Sequence, residues 1–163
     1  KSLDNIDTIK KLAKKYVDTH NLFFLGRKLD YLLALEASLK LKEISYIHSE
    51  AYPAGELKHG TISLIEKDVP VIALVSDESI LEKTMSNIQE VKARGSEVLL
   101  ITNQPIDHLK DNVASVLKVE PTSAILACFT MILPLQLMAY YVALFRGCDV
   151  DQPRNLAKSV TVE

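Results

Sequence analysis

Leu22-Phe23-Phe24-Leu25-Gly26-Arg27-Lys28-Leu29-Asp30-Tyr31-Leu32-Leu33-Ala34-Leu35-Glu36-Ala37-Ser38-Leu39-Lys40-Leu41-Lys42-Glu43-Ile44-Ser45 opens with four apolar residues, breaks at a glycine and continues with helical periodicity. An apolar run this short, bounded by glycine, reads as a buried strand, and Asp30 can cap a helix from about Tyr31 to Ser45. The same order recurs downstream. Val71-Ile72-Ala73-Leu74-Val75 follows Pro70 and precedes Ser76-Asp77-Glu78-Ser79, and Ile80 to Lys92 is helix-periodic. Gly95 ends that helix, Val98-Leu99-Leu100-Ile101 is a third strand, and Val113 to Val119 is a fourth. Strands apolar on both faces and alternating with helices predict a parallel sheet covered on both sides, hence a three-layer α/β/α domain. Ligands of such sheets lie beyond the carboxyl ends of the strands, so the loops after Leu25, Val75 and Ile101 are where a site is expected.

Working outward, Leu3, Ile6, Ile9, Ala13, Tyr16 and Val17 form one face of an N-terminal amphipathic helix, with Lys10, Lys11, Lys14 and Lys15 on its solvated faces. From Pro121 through Phe145 no charged residue occurs, a length that could span a bilayer. Pro134 and Gln136 near its centre, and the soluble pattern of the preceding chain, favour a helix buried in a core or at a subunit interface. The 163 residues carry 19 Lys+Arg against 21 Asp+Glu, a net charge of -2 that excludes a polybasic nucleic-acid binder. Apolar residues make up 48%, enough for one compact core. The two cysteines, Cys128 and Cys148, have neither disulfide-framework nor metal-site spacing, which fits a reducing, cytoplasmic setting. The chain opens Lys-Ser-Leu-Asp, with no initiator Met and no leader, and reads as a piece of something longer.

The helix of the opening stretch carries the most chemical information. At about 100° per residue, Leu33, Ile44, Ala37 and Leu41 fall in one apolar sector and Leu35, Leu39 and Leu32 in another. Ser38, Ser45 and Lys42 fill one polar gap between them, and Glu36, Lys40 and Glu43 fill the other. A helix needs only one solvent face. The charged stripe is therefore either an exposed i,i+4 pair or the lining of a cleft where two carboxylates and an amine tune one another, and geometry alone leaves both open.

His48 to Gly60 is polar and holds two of the four histidines, His48 and His59. His59 has the intrinsic pKa for proton transfer, although a lone histidine more often packs or caps. No spacing there puts two metal ligands on one helical face, so no metal site is expected. The segment Asp149 to Glu163 reads either as a fraying tail or as an ordered arm that carries Lys158 into a pocket.

Several of these strings resemble one family. Phe24-Leu25-Gly26-Arg27, the helix from Ala34-Leu35-Glu36 through Ser45, Ala54-Gly55-Glu56-Leu57-Lys58-His59-Gly60, Pro134-Leu135-Gln136-Leu137, and Asp149 through Glu163 are similar to the C-terminal part of the isomerising glutamine:fructose-6-phosphate aminotransferases, or glucosamine-6-phosphate synthases. The resemblance covers nearly the whole chain. It implies a flavodoxin-like SIS (sugar isomerase) domain over residues 1–147, the second of two in the isomerase half, with an active-site tail at 148–163.

It also implies the chemistry. Fructose 6-phosphate would be aminated with ammonia from a separate N-terminal glutaminase domain and isomerised to glucosamine 6-phosphate, with no cofactor. Glu43 would move the proton between C1 and C2, with Lys40 and Glu36 in support. His59 would assist ring opening in the neighbouring subunit of a homodimer. Lys158 would engage the sugar carbonyl, with the Ala157 backbone also at the sugar.

The chain departs from the family pattern at Thr61, where proline is usual, and at Lys28 and Pro53, where small residues are common. The Ser/Thr-rich phosphate loop belongs to the first SIS domain, whereas Ser76-Asp77-Glu78-Ser79 here would repel a phosphate. Alone, the chain should bind sugar phosphate poorly. A non-catalytic phosphosugar-binding module and a dimerisation unit are the competing expectations.

Overall fold

The computed structural model describes residues 5–106 and 110–155. Along the chain run α1 (Ile6–Lys14), β1 (Asn21–Gly26), α2 (Leu29–Ser45), β2 (His48–Pro53), two short 3₁₀ segments (Ala54–His59 and Thr61–Leu64), β3 (Val71–Val75), α3 (Glu78–Lys92), β4 (Val98–Thr102), β5 (Ser115–Lys118) and α4 (Ala124–Phe145). The five strands form one all-parallel sheet in the order β2-β1-β3-β4-β5. That is the flavodoxin-type order, with its switch point between β1 and β3.

Each central strand sends alternate side chains to opposite layers. Leu22 and Phe24, Ile72 and Leu74, and Leu99 and Ile101 join the core under α1, α2 and α4. Phe23 and Leu25, Val71, Ala73 and Val75, and Val98 and Leu100 join the core under α3 and the 3₁₀ segment that ends at His59. Because both faces are covered, the strands read as unbroken apolar runs. The expected three-layer arrangement is the observed one.

Four details differ from the sequence reading. The sheet has five strands, because β2 lies in the polar stretch after Ser45 and pairs with β1 from Asn21↔His48 to Gly26↔Pro53. As an edge strand carrying His48, Glu50 and Tyr52, it lacks the apolar run that marks the others. Second, α2 begins at Leu29 with Lys28 at its N-cap, so Asp30 lies in the first turn and does not cap the helix. Asp30 turns inward instead. Third, α3 begins two residues before Ile80, because Asp77 accepts the Ser79 N–H at 2.8 Å and caps it. Finally, β5 is shorter than the expected Val113–Val119.

Gly26 is required by close approach, since a Cβ there would lie 2.3 Å from the Asp30 carbonyl carbon and oxygen. The tight turn from β1 into α2 depends on it. α4 is long and apolar enough to cross a membrane. Ala127, Met131, Leu135, Met138, Ala139 and Val142 on it belong to the buried core, packed against α1 and α2. Ile125, Leu126, Phe129, Tyr140 and Leu144 are exposed on its outer side.

Candidate active site

α2 carries the charged stripe, and its neighbours decide which of its four sectors meets water. Leu33, Ala37 and Leu41 are buried against the core that includes α4. Ser38 and Ser45, in the gap that could have been a solvent face, are buried as well, while Lys42 of the same gap is exposed. Ser38 Oγ donates to the Ser49 carbonyl at 2.8 Å, Ser49 Oγ donates to the Ser38 carbonyl at 2.9 Å, and Ser45 Oγ donates to the Leu41 carbonyl at 2.6 Å. These bonds satisfy polar groups that would otherwise be costly inside the protein, and they tie α2 to β2. The sector with Leu32, Leu35 and Leu39 is instead the outward one, 57%, 42% and 43% exposed.

Beside those leucines, the stripe forms one cluster. Lys40 Nζ lies 2.8 Å from Glu43 Oε2 and 3.9 Å from Glu36 Oε1, so one ammonium bridges two carboxylates spaced along one helical face. The side chains of Glu36, Lys40 and Glu43 are 43%, 37% and 27% exposed, with Glu43 the most sheltered. The hydrogen bond to Glu43 holds the Lys40 ammonium above the ordinary amine value, burial opposes the rise, and the charges of Glu43 and Glu36 add to it. Lys40 is therefore a fixed positive charge beside Glu43 and not a neutral amine. The cluster is half-buried on an open face, between an apolar core on one side and exposed leucines on the other.

His59 ends the first 3₁₀ segment and is 64% exposed on its side chain, with Nε2 4.0 Å from Glu56 Oε2. Among the described residues, no hydrogen bond or ion pair joins it to the stripe. His48 sits at the start of β2, where its ring is 3.1 Å from Asn21 Oδ1 and 3.6 Å from Glu50 Oε1. Among the described residues, no group of three His, Cys, Asp or Glu side chains is arranged to hold a metal ion. Ala157 and Lys158 lie outside the described residues.

The strand ends contain what sequence reasoning missed. Asp30, almost fully buried, accepts the Ser76 N–H at 2.9 Å and the Ser76 hydroxyl at 2.5 Å, joining the β1–α2 turn to the β3–α3 turn. Burial pushes its carboxyl above the ordinary value, the two Ser76 hydrogen bonds pull it down, and Asp77 pushes it up again. Asp77 is held low by the Ser79 N–H first, then by the Ser79 hydroxyl and Lys28, whose Nζ is 3.4 Å from Asp77 Oδ2. The N-terminus of α3, the usual anion seat of this fold, is thus filled by the chain's own carboxylate.

A cavity of only about 40 Å³ remains between Arg27, Lys28, Asp30, Ser76 and Asp77. A larger one of about 440 Å³ opens beyond β4 and β5, lined by Asn103, Gln104, Pro105, Lys118, Pro121 and Thr122. A signal for the Asp30 role did exist, in an acidic residue at a first helical turn facing a Ser-Asp strand end. Nothing in the local spacing paired the two.

Known proteins with this architecture fit the same picture. Residues 15–146 match the model of the SIS domain. The chain is 53% identical over 161 residues to the isomerizing glutamine–fructose-6-phosphate aminotransferase of Caldanaerobacter subterraneus subsp. tengcongensis, covering 99% of this chain and 26% of that protein. To the enzyme of the same name from Escherichia coli K12 it is 50% identical over 155 residues, covering 95% and 26%. It thus spans about a quarter of the length of these curated relatives.

Among solved structures, the C-terminal domain of glucosamine-fructose-6-phosphate aminotransferase from Francisella tularensis superimposes with a TM-score of 0.87 at 42% identity, over 93% of this chain and 43% of that one. A tagatose-6-phosphate ketose/aldose isomerase structure from Clostridium novyi shares the fold at 20% identity, with a TM-score of 0.81. With the 2-1-3-4-5 parallel sheet and a family match running from just after α1 through the end of α4, the chain belongs to the SIS domain family.

Proposed function

We propose that this chain is the second SIS unit of an isomerising glutamine:fructose-6-phosphate aminotransferase, and that it carries the proton-transfer half of the sugar site. The observation that carries the reading is the Glu36–Lys40–Glu43 cluster, built on one face of α2 in a chain about half identical to enzymes of that name. The overall reaction takes glutamine and fructose 6-phosphate to glutamate and glucosamine 6-phosphate. Lys158, in the tail 148–163, attacks the C2 carbonyl of the open sugar, forming an imine and releasing water. Ammonia from the glutaminase domain displaces the lysine, and Glu43 then takes a proton from C1 and returns it to C2.

Each role has a physical basis. A base for this transfer needs a carboxylate close to the carbon-bound proton and partly shielded from water, and Glu43 is the most sheltered of the stripe. Lys40, held protonated, keeps Glu43 oriented and offsets negative charge that develops on the substrate. Glu36 braces Lys40 from the other side. His59, exposed at a 3₁₀ terminus, is available to a neighbouring subunit, where it assists ring opening in a homodimer. The Ala157 backbone contacts the sugar.

The carboxylate already seated at the α3 N-terminus supports a sugar phosphate held mainly by the first SIS unit. The exposed Leu32, Leu35 and Leu39 beside the stripe supply apolar surface for that unit or for a second subunit. The setting is the cytoplasm, in line with the soluble core and the two unpaired cysteines.

The test is made in the full-length protein. Glu43→Gln and Lys158→Ala each abolish conversion of fructose 6-phosphate, and borohydride reduction with fructose 6-phosphate traps a covalent adduct at Lys158. Full rate in either variant refutes the role assigned to that residue. A protein that binds the sugar phosphate without any trapped adduct is a phosphosugar-binding module instead.

A further inference from the structure

Arg27, the residue after β1, sends its guanidinium into the layer formed by α3 and the 3₁₀ segment Ala54–His59, and there it meets both. Its Nη2 donates to Asn87 Oδ1 on α3 at 2.7 Å. Asn87 is buried and its Nδ2 lies 3.5 Å from Glu90 Oε2, so its amide presents the carbonyl oxygen to Arg27. On the 3₁₀ segment the contact is with Gly55. A Cβ there would lie 3.0 Å from Nη1, 3.1 Å from Nη2 and 3.3 Å from Cζ, so the guanidinium covers the spot a side chain would occupy. Gly55 has no positive φ, and glycine is needed there for room alone.

The rest of the segment is anchored except at its last residue. Ala54 and Leu57, three apart and therefore on one side of a 3₁₀ turn, are fully buried. The carbonyl of Gly60, which follows His59, accepts the Ser63 N–H at 3.0 Å and the Ser63 hydroxyl at 2.8 Å. Between these anchors His59 leaves on the side it shares with Glu56, and its side chain is 64% exposed. The direction of its imidazole is thus set by a segment held by two apolar side chains from beneath and by Arg27 from the flank.

Arg27 holds this place against its own stability. Its Nε is closed off from water and, among the described residues, meets no hydrogen-bond acceptor, which is unfavourable for a buried donor. An apolar side chain of similar length would avoid that loss. It would not supply a rigid plane whose edge carries donors, fixed at once to α3 and to Gly55.

We infer that Arg27, held by Asn87, is a positioning residue for His59: it fixes the 3₁₀ segment against α3, so that the imidazole leaves the subunit in the direction that reaches the neighbouring sugar site. This rests on the ring-opening role proposed above for His59. Opening the furanose breaks the bond from C2 to the ring oxygen, places a proton on that oxygen and removes one from the C2 hydroxyl, leaving the ketone. A histidine can carry either proton, provided that it comes within hydrogen-bond reach, and a misplacement of about 1 Å can cost about 10²-fold in rate.

The experiment uses the full-length protein and two substrates. Fructose 6-phosphate must be opened, whereas 5-deoxyfructose 6-phosphate lacks the hydroxyl that closes the furanose ring and arrives as an open ketone. Arg27→Met, which keeps the length of the side chain, and Arg27→Lys, which keeps its charge, both lose the plane that rests on Gly55. Each lowers kcat/KM for fructose 6-phosphate by about tenfold or more and stays within about twofold of the parent on the open ketone. Gly55→Ala, whose methyl group pushes the guanidinium aside by a few tenths of an ångström, shows the same selectivity to a smaller degree. Combined with His59→Ala, Arg27→Met adds no further loss, because one residue acts through the other. Turnover of the open ketone also shows that each variant is folded and assembled.

A parental rate on fructose 6-phosphate in either Arg27 variant overturns the inference. So does an equal loss on the two substrates, which marks a general loss of structure, or a loss that adds in full to that of His59→Ala. If His59→Ala itself keeps the parental rate on fructose 6-phosphate, the ring-opening role is refuted and the positioning role falls with it. A slowed His59→Ala beside unaffected Arg27 variants leaves ring opening standing and removes the positioning role alone.

Discussion

Removing the Asp30 carboxylate tests the hub that joins the two turns at the strand ends. Asp30→Ala leaves the Ser76 N–H and hydroxyl without the acceptors now at 2.9 and 2.5 Å. The hydroxyl can rotate to another acceptor, but the buried N–H cannot, and an unsatisfied buried donor costs about 1–3 kcal/mol. Asp30→Asn keeps the N–H acceptor, and its amide donates to Ser76 Oγ once the hydroxyl turns round. The alanine variant should therefore be about 1–3 kcal/mol less stable than the asparagine variant, or about 2–4 °C in midpoint per kcal/mol for a chain of this size.

The pH dependence is a second readout of the same group. The folded carboxyl titrates above its ordinary value of 3.8, so the folded state holds its proton more tightly than the unfolded chain. Its contribution to stability is complete below 3.8 and is lost as pH rises through the folded value. Asp77, shifted the other way, contributes fully above 3.8 and loses its contribution only as pH falls through its lowered value, so it leaves the interval above pH 5 undisturbed. Urea unfolding followed by circular dichroism from below pH 3.8 up to pH 7.5 should show the parent losing ground to Asp30→Asn as pH rises, with Asp77 common to both proteins. Equal stability of the alanine and asparagine variants, or superimposable pH profiles for the parent and Asp30→Asn, would refute the reasoning.

Three other outcomes follow from the packing. Gly26→Ala places a methyl group 2.3 Å from the Asp30 backbone, and because neither strand nor helix can retreat, urea unfolding should show a loss of about 3 kcal/mol or more. Lys28→Gly should raise the thermal midpoint, because Lys28 holds φ +52° and ψ −124°, a region costing a side-chain-bearing residue about 1–3 kcal/mol, and its ion pair with Asp77 is solvent-exposed. Two residues apart on α2, Leu41→Ala should cost about 2–5 kcal/mol while Leu39→Ala costs under about 1 kcal/mol, a contrast that denaturant midpoints would reveal.

The Lys28 conformation also explains a departure seen in the sequence. The resemblance drawn from the sequence leads one to expect a small residue at this position, and the backbone there has the geometry glycine adopts without strain. The turn is kept in this chain with a side chain that points toward Asp77 and Ser79.

The sheet and its layering were legible in the sequence, because a strand covered on both faces must be apolar throughout, and β1, β3 and β4 are. β2 was not legible: an edge strand half open to water carries His48, Glu50 and Tyr52, and its pairing is made by backbone groups that leave no mark on composition. The gathering of Glu36, Lys40 and Glu43 on one face followed from helical periodicity alone, since residues three and four apart share a side of any α-helix. Which side of α2 is covered did not follow, because Ser38 and Ser45 are as polar as a surface and became interior only through β2 and their own carbonyl partners.

The same holds for contacts between distant parts of the chain. Asp30 meets Ser76 across 46 residues, and Tyr46 meets Arg154 across 108. Local spacing sets the direction in which a side chain leaves its own element. What it meets there depends on the order in which the strands are laid side by side and on the layer that packs over them.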